Sequence, residues 1–235
     1  MGVMHTDLAT IERGPSRFIV HLKTGHLLNW HLLLGNTQTR DVLFFHENGH
    51  NNGLWADFCT ECQFPETFQV LHLTERQCRL EKRGERCLCT LTYDFNEFSL
   101  KARLELDNRT ERTLYWHPQW NFQWAIPWLE QTTQAHYVLN VPARKCLEQA
   151  LAKQVDFPVD TLNHTFGQFK ESRVRCRSLN EEDGIEVNWP LSQNVHFYAH
   201  TATPESLHCR LSPAAEEGRK IAPFSVDLFE LEMTF

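Results

Sequence analysis

Two stretches hold residue types whose spacing could do chemistry: His46-Glu47-Asn48-Gly49-His50, and Tyr115-Trp116-His117-Pro118-Gln119-Trp120-Asn121-Phe122-Gln123-Trp124-Ala125-Ile126-Pro127-Trp128. The first fits the His-Glu-x-x-His pattern of a zinc peptidase, in which two histidines one helical turn apart bind metal and the glutamate acts as base. Gly53 even falls where the longer pattern wants a glycine, but Ala56 occupies the third ligand position. Asn48-Gly49 and Asn51-Asn52-Gly53 are turn-forming pairs, which oppose a helix through both histidines. A zinc metallopeptidase is therefore the disfavoured alternative, and no metal is expected. What remains is either a glycine-bearing loop after a strand that offers His46, His50, Asn51, Trp55 and Asp57 to a ligand, or a solvated turn anchored by Trp55 and Phe58.

The second stretch packs six aromatic residues and a histidine into fourteen positions. With a period of two, Trp116, Trp120 and Trp124 share one face of a strand unless Pro118 breaks it. Indole rings stack on the C–H faces of sugars and their N–H groups serve hydroxyls, so Trp120 and Trp124 are candidate substrate contacts. The competing reading is an aromatic core beneath a sheet.

The cysteines offer less. Cys59-x-x-Cys62 and Cys87-x-Cys89 do not make two zinc knuckles, because the second spacing is wrong. Nor does Cys59-x-x-Cys62 sit in the strand-to-helix context of a redox pair, since Gln63-Phe64-Pro65 stops a helix. With no export signal at the N-terminus, the eight cysteines read as reduced thiols in a cytoplasmic protein, and no redox centre is expected.

The elements that must position these residues are strands. Phe18–Leu22, Val42–Phe45, Phe68–Leu73, Cys87–Tyr93, Ser99–Leu106, Val195–His200 and Phe224–Phe235 are short, β-branched or aromatic, and partly alternating. In the fifth of these, Leu100, Ala102, Leu104 and Leu106 share a face, which leaves Lys101 and Arg103 facing outward. One short helix is predicted over Arg144–Lys153, after Pro142. The pattern predicts a mainly β chain, a large antiparallel β-sandwich forming one domain over its 235 residues. A net charge of −7 without basic blocks argues against nucleic acid. No apolar run of membrane-spanning length occurs, so no membrane partner is expected. Nothing in the sequence fixes the oligomeric state.

Leu106-Asp107-Asn108-Arg109 followed by Trp116-His117-Pro118-Gln119-Trp120 resembles the aldose 1-epimerase (galactose mutarotase) family, in which a strand ending at an asparagine leads by a short turn to a strand carrying His-Pro-x-aromatic. Phe18–Leu22, Thr24-Gly25-His26-Leu27-Leu28-Asn29-Trp30 and Asp41-Val42-Leu43-Phe44 are similar to the family's opening strands. The resemblance implies a galactose mutarotase-like supersandwich. It also implies a cofactor-free carbohydrate isomerase that interconverts the α and β anomers of a hexose or hexose phosphate. One group protonates the ring oxygen, a base takes the anomeric proton, and the ring opens and recloses on the other face.

By that resemblance the acid is His117, with His50 or His46 as the second histidine. Separately, a phosphorylated substrate would want converging cations, and Arg109 and Arg112 are the candidates for the pocket rim. The family's base is a late glutamate followed by proline. In Cys209-Arg210-Leu211-Ser212-Pro213 its place is taken by Ser212, leaving Glu205, Glu216 and Glu217 as nearby carboxylates, Glu205 first among them. The alternative that tolerates Ser212 is a non-catalytic sugar-binding protein on the same fold. The partner expected under either reading is a small-molecule carbohydrate.

Overall fold

The computed structural model describes residues 7–34, 38–43, 53–125, 136–140, 154–158, 163–167, 169, 171–178, 184–203 and 206–235. In chain order its strands are β1 (Leu8–Arg13), β2 (Ser16–His21), β3 (Leu27–Leu34), β4 (Gln38–Leu43), β5 (Leu54–Thr60), β6 (Gln69–Leu73), β7 (Gln77–Arg83), β8 (Cys87–Phe95), β9 (Ser99–Asn108), β10 (Leu114–Ala125), β11 (His136–Asn140), β12 (Gln154–Pro158), β13 (Asn163–Phe166), β14 (Arg173–Ser178), β15 (Gly184–Asn188), β16 (Val195–Thr203), β17 (Ser206–Pro213), β18 (Arg219–Ile221) and β19 (Val226–Thr234). Each predicted strand corresponds to an observed one, with described ends that differ by up to three residues except at β4, which begins four residues earlier than expected. The helix predicted over 144–153 lies outside the described residues.

All pairings are antiparallel and build two sheets. The first runs β1-β2-β3-β4-β10-β17-β16-β13, with β5 bridging β10 and β3, and β18 added to β10. The second runs β12-β11-β14-β15-β19-β9-β8-β7-β6. One hydrophobic core fills the space between them. Leu100, Ala102, Leu104 and Leu106 of β9 are fully buried there, as their alternation predicted, and meet Phe18, Trp30, Phe122 and Phe197 from the first sheet in one cluster.

β10 is the spine of the first sheet. Leu114, Trp116, Trp120, Phe122 and Trp124 on its inner face are buried, and two indoles are fixed by hydrogen bonds. The Trp120 Nε1–H donates to the Phe229 carbonyl at 3.3 Å and the Trp116 Nε1–H to Asp227 Oδ2 at 2.7 Å. Pro118 does not break the strand. On one side it faces Phe58 of β5, and on the other it falls between the last pair with β18 (Trp116 opposite Arg219) and the first with β17 (Trp120 opposite Leu211). A proline lacks only its N–H, and in that gap no ladder bond is lost.

Asn108 ends β9 in the core with no exposure. Its side-chain N–H groups donate to the carbonyls of Arg112 (2.7 Å) and Ala222 (3.0 Å), and its Oδ1 accepts from the Thr110 N–H (3.0 Å) and hydroxyl (2.8 Å). This clamp joins the turn into β10 to the turn before β19. The latter contains Phe224, whose left-handed φ of 52° stands where a closing turn favours glycine.

One expectation is corrected. Cys62 and Cys87 form a disulfide rather than reduced thiols, because the turn after β5 brings Cys62 over the start of β8. Cys59, Cys78, Cys89, Cys176 and Cys209 are free. Among the described residues, no helix is long and apolar enough to cross a membrane.

Replacing Asn108 with Ala leaves buried carbonyls and N–H groups unpaired. It should lower stability by about 2–4 kcal/mol, read as a lower urea midpoint with an unchanged denaturant slope.

Candidate functional site

Because the even-numbered residues of β10 from Leu114 to Trp124 face the core, the odd-numbered ones project from the other side of the sheet. After the exposed Tyr115 these are His117, Gln119, Asn121 and Gln123, and cross-strand pairing aligns neighbours with them in rows. Cys59 lies opposite His117, Asp57 opposite Gln119 and Trp55 opposite Asn121 on β5. On the other flank, Arg210 lies opposite Asn121 and His208 opposite Gln123, with Tyr198 and His200 of β16 opposite Arg210 and His208 in turn. The outer face of the four central strands is therefore polar and aromatic, in contrast with the apolar inner face.

Among the described residues of β5, β10, β16 and β17, Asp57 is the carboxylate of this face. Its Oδ2 accepts from the Trp55 Nε1–H at 3.2 Å and from the Asn121 side-chain N–H at 3.1 Å. Both donors take the same oxygen, Oδ2, and hold the exposed carboxylate in place. His117 and Asp57 are diagonal neighbours across β5 and β10, about 7–8 Å apart by the geometry of antiparallel pairs.

The His117 ring is held by the segment that follows β17. Gly218, at φ +81°, lies against it so closely that a Cβ would come within 2.7 Å of His117 Nε2 and still nearer the Trp116 carbonyl oxygen. That segment is anchored by Arg219, which makes a two-pronged ion pair with Asp227 at 2.6 Å on both oxygens; the same carboxylate receives the Trp116 indole. Glu216 and Glu217 are exposed in the turn just before Gly218.

A second cluster lies one row away. Trp55 stacks on His208 at 5.9 Å between ring centres and 12° between planes, and His208 meets His200 edge-on at 4.9 Å. Burial lowers the His208 pKa to about 4, with His200 and Arg210 pushing the same way; burial lowers that of His200 too. Both are thus neutral near pH 7. Among the described residues, His208 Nε2, His200 Nδ1 and Gln123 Oε1 are buried polar atoms with no hydrogen-bond partner. His26, whose ring centre is 6.1 Å from that of Trp55, is also held low by burial, against the pull of Asp57.

Of the residues singled out in the sequence, this face brings together His117, Trp55 and Asp57. Trp120 and Trp124 do not belong to it: both are buried between the sheets, because their parity on β10 is that of the core. Arg109 lies in the turn after β9 of the other sheet, exposed and paired with Asp107 at 2.9 Å. His46, His50, Asn51 and Glu205 lie outside the described residues. Sequence reading missed Asn121, Gln123, His200, His208 and Arg210. The signal was present in the parity of β10, since a tryptophan row on one face assigns the intervening His, Gln and Asn to the other. Among the described residues no group of three or more His, Cys, Asp or Glu could hold a metal ion.

No protein-family model matches the chain, and no curated protein does. Solved structures do. A galactose mutarotase related enzyme from Lactobacillus acidophilus superposes with a TM-score of 0.70 at 9% identity, covering 97% of this chain and 96% of that one. A putative aldose 1-epimerase from Escherichia coli K12 gives 0.68 at 10% identity over 97% and 98%. A GalM/aldose epimerase homologue from C. elegans gives 0.63 at 13% over 97% and 98%. The chain has the galactose mutarotase-like fold, as the resemblance in its sequence implied.

The His208 shift has a testable sign. Its folded pKa, about 4, lies below the roughly 6.5 of an unfolded histidine, so acid favours the unfolded state between those values. Stability should be level above pH 7 and fall as pH drops from about 6.5 to about 4. In His208→Gln, urea midpoints measured across that window should fall less steeply.

Proposed function

We propose that this chain is a carbohydrate 1-epimerase of the mutarotase type, acting on the outer face of β5, β10 and β17. The observation that carries the reading is the pairing on that face of His117, set against Gly218, with Asp57, whose Oδ2 is fixed by Trp55 and Asn121. The ring oxygen and the anomeric hydroxyl of a pyranose share one carbon. An acid and a base, each within about 2.6–3.2 Å of its own oxygen, must therefore stand on one face only a few ångströms apart.

In this assignment His117 donates a proton to the ring oxygen while Asp57 Oδ1 accepts the anomeric proton. The C1–O5 bond breaks to leave an open-chain aldehyde, the C1–C2 bond rotates, and reversal of the transfers closes the other anomer. Protons and electrons balance without a cofactor. Neutral His200 and His208, with Gln123 and Asn121, supply donors and acceptors for sugar hydroxyls. His50 and Glu205 precede β5 and β17 by four residues and one residue respectively; in this proposal His50 is the second histidine, and Glu205 is the competing base. A sugar-binding protein without catalysis is the second reading. It is favoured by Ser212, which stands opposite His196 where the family's glutamate is expected.

NMR exchange spectroscopy between α and β anomers of a panel of aldoses distinguishes these. Wild type should exchange at least one sugar above the buffer rate, and His117→Ala should lose about 10²–10⁴-fold. An equal loss in Asp57→Asn with little change in Glu205→Gln assigns the base to Asp57, and the reverse pattern assigns it to Glu205. Binding without exchange leaves only the sugar-binding reading.

A further inference from the structure

The outer face of the first sheet is electrically lopsided. On β5 it carries Asp57. On β16 and β17 it carries His196, Tyr198, His200, His208, Arg210 and Ser212, and among the described residues of those two strands no carboxylate shares that face. This occurs in a chain whose net charge is −7, where acidic side chains outnumber basic ones and several arginines have found partners. Arg13, Arg83, Arg103, Arg109, Arg173 and Arg219 are all ion-paired within 4 Å.

Arg210 makes no such pair among the described residues. Its guanidinium is set over the Tyr198 ring at 5.2 Å, on a strand with β10 to one side and β16 to the other. In register it faces Asn121, the same residue whose amide holds Asp57. A stacked guanidinium keeps its in-plane N–H donors free to form a fork on a planar anion.

We infer that the sugar taken by this face is an anionic one, a hexuronate, whose carboxylate is held by Arg210 while its anomeric end lies at His117 and Asp57. This rests on the proposed carbohydrate site and adds the substrate class. β5 and β17 are two strand spacings apart, about 10 Å, a gap that one hexose and the two facing side chains bridge. The charge count favours a monoanion. One guanidinium supplies a single positive charge, and His200 and His208 are kept neutral by burial. A phosphate ester, carrying nearly two negative charges at pH 7, would meet one cation and a neighbouring carboxylate.

Titration calorimetry with the full chain tests this, using D-galacturonate and D-glucuronate against D-galactose, D-glucose and glucose 6-phosphate. A uronate should bind roughly ten- to a hundredfold more tightly than its neutral parent. Arg210→Gln, a substitution at an exposed side chain, should abolish that preference, bringing the affinity for the uronate down to that for its neutral parent measured on the same variant; Arg210→Lys should keep part of it. Equal affinity for uronate and aldose, a preference that survives in Arg210→Gln, or tighter binding of the 6-phosphate would each overturn the inference and leave the sugar site standing. Failure to bind any of the five sugars would overturn both.

Discussion

The alternation of β10 is the constraint on which the rest of the molecule depends. Five large apolar side chains on one parity bind the two sheets together, and four polar ones on the other parity form the centre of the candidate site. A slip of one residue would exchange the faces, burying His117, Gln119, Asn121 and Gln123 and exposing three tryptophans. Directional bonds guard against it: the Trp116 and Trp120 indoles each find an acceptor on β19 only in the observed register. Core packing and site geometry are thus set by one strand.

The site is held by groups that are not part of its chemistry. Asp57 depends on an indole and an amide from two strands, and the His117 ring depends on a glycine that can approach without a Cβ. That glycine is in turn tied to the Asp227 carboxylate through Arg219. Asn108 closes the same end of the sandwich from the core side. The unpartnered atoms of Gln123, His200 and His208 run the other way. They are a cost of burial of about 1–3 kcal/mol each when unsatisfied, the kind of local penalty that folds carry where something else is to be bound.

Much of the fold was legible in the sequence, because strand alternation is a local signal. Leu100 to Leu106 gave the buried face of β9 directly, and Asn108 with the His117-Pro118 strand pointed to the architecture. The site was less legible. A run of tryptophans looks alike whether it faces a sugar or a second sheet, and only the pairing partners of β10 decide which. Arg109 and Arg210 are both single arginines on polar sequence. What separates them is that β9 lies in one sheet and β17 in the other, a long-range fact that local pattern does not contain. The disulfide between Cys62 and Cys87 was hidden for the same reason.

The most direct test of the account is the indole N–H region of a nitrogen-15 NMR spectrum, recorded as a hexose or hexuronate is added. Trp55, at the site and hydrogen-bonded to Asp57, should shift on addition of the sugar, while Trp116 and Trp120, whose N–H groups are held between the sheets, should stay in place. Shifts of Trp116 and Trp120 with Trp55 unmoved would contradict the assignment of the ligand face.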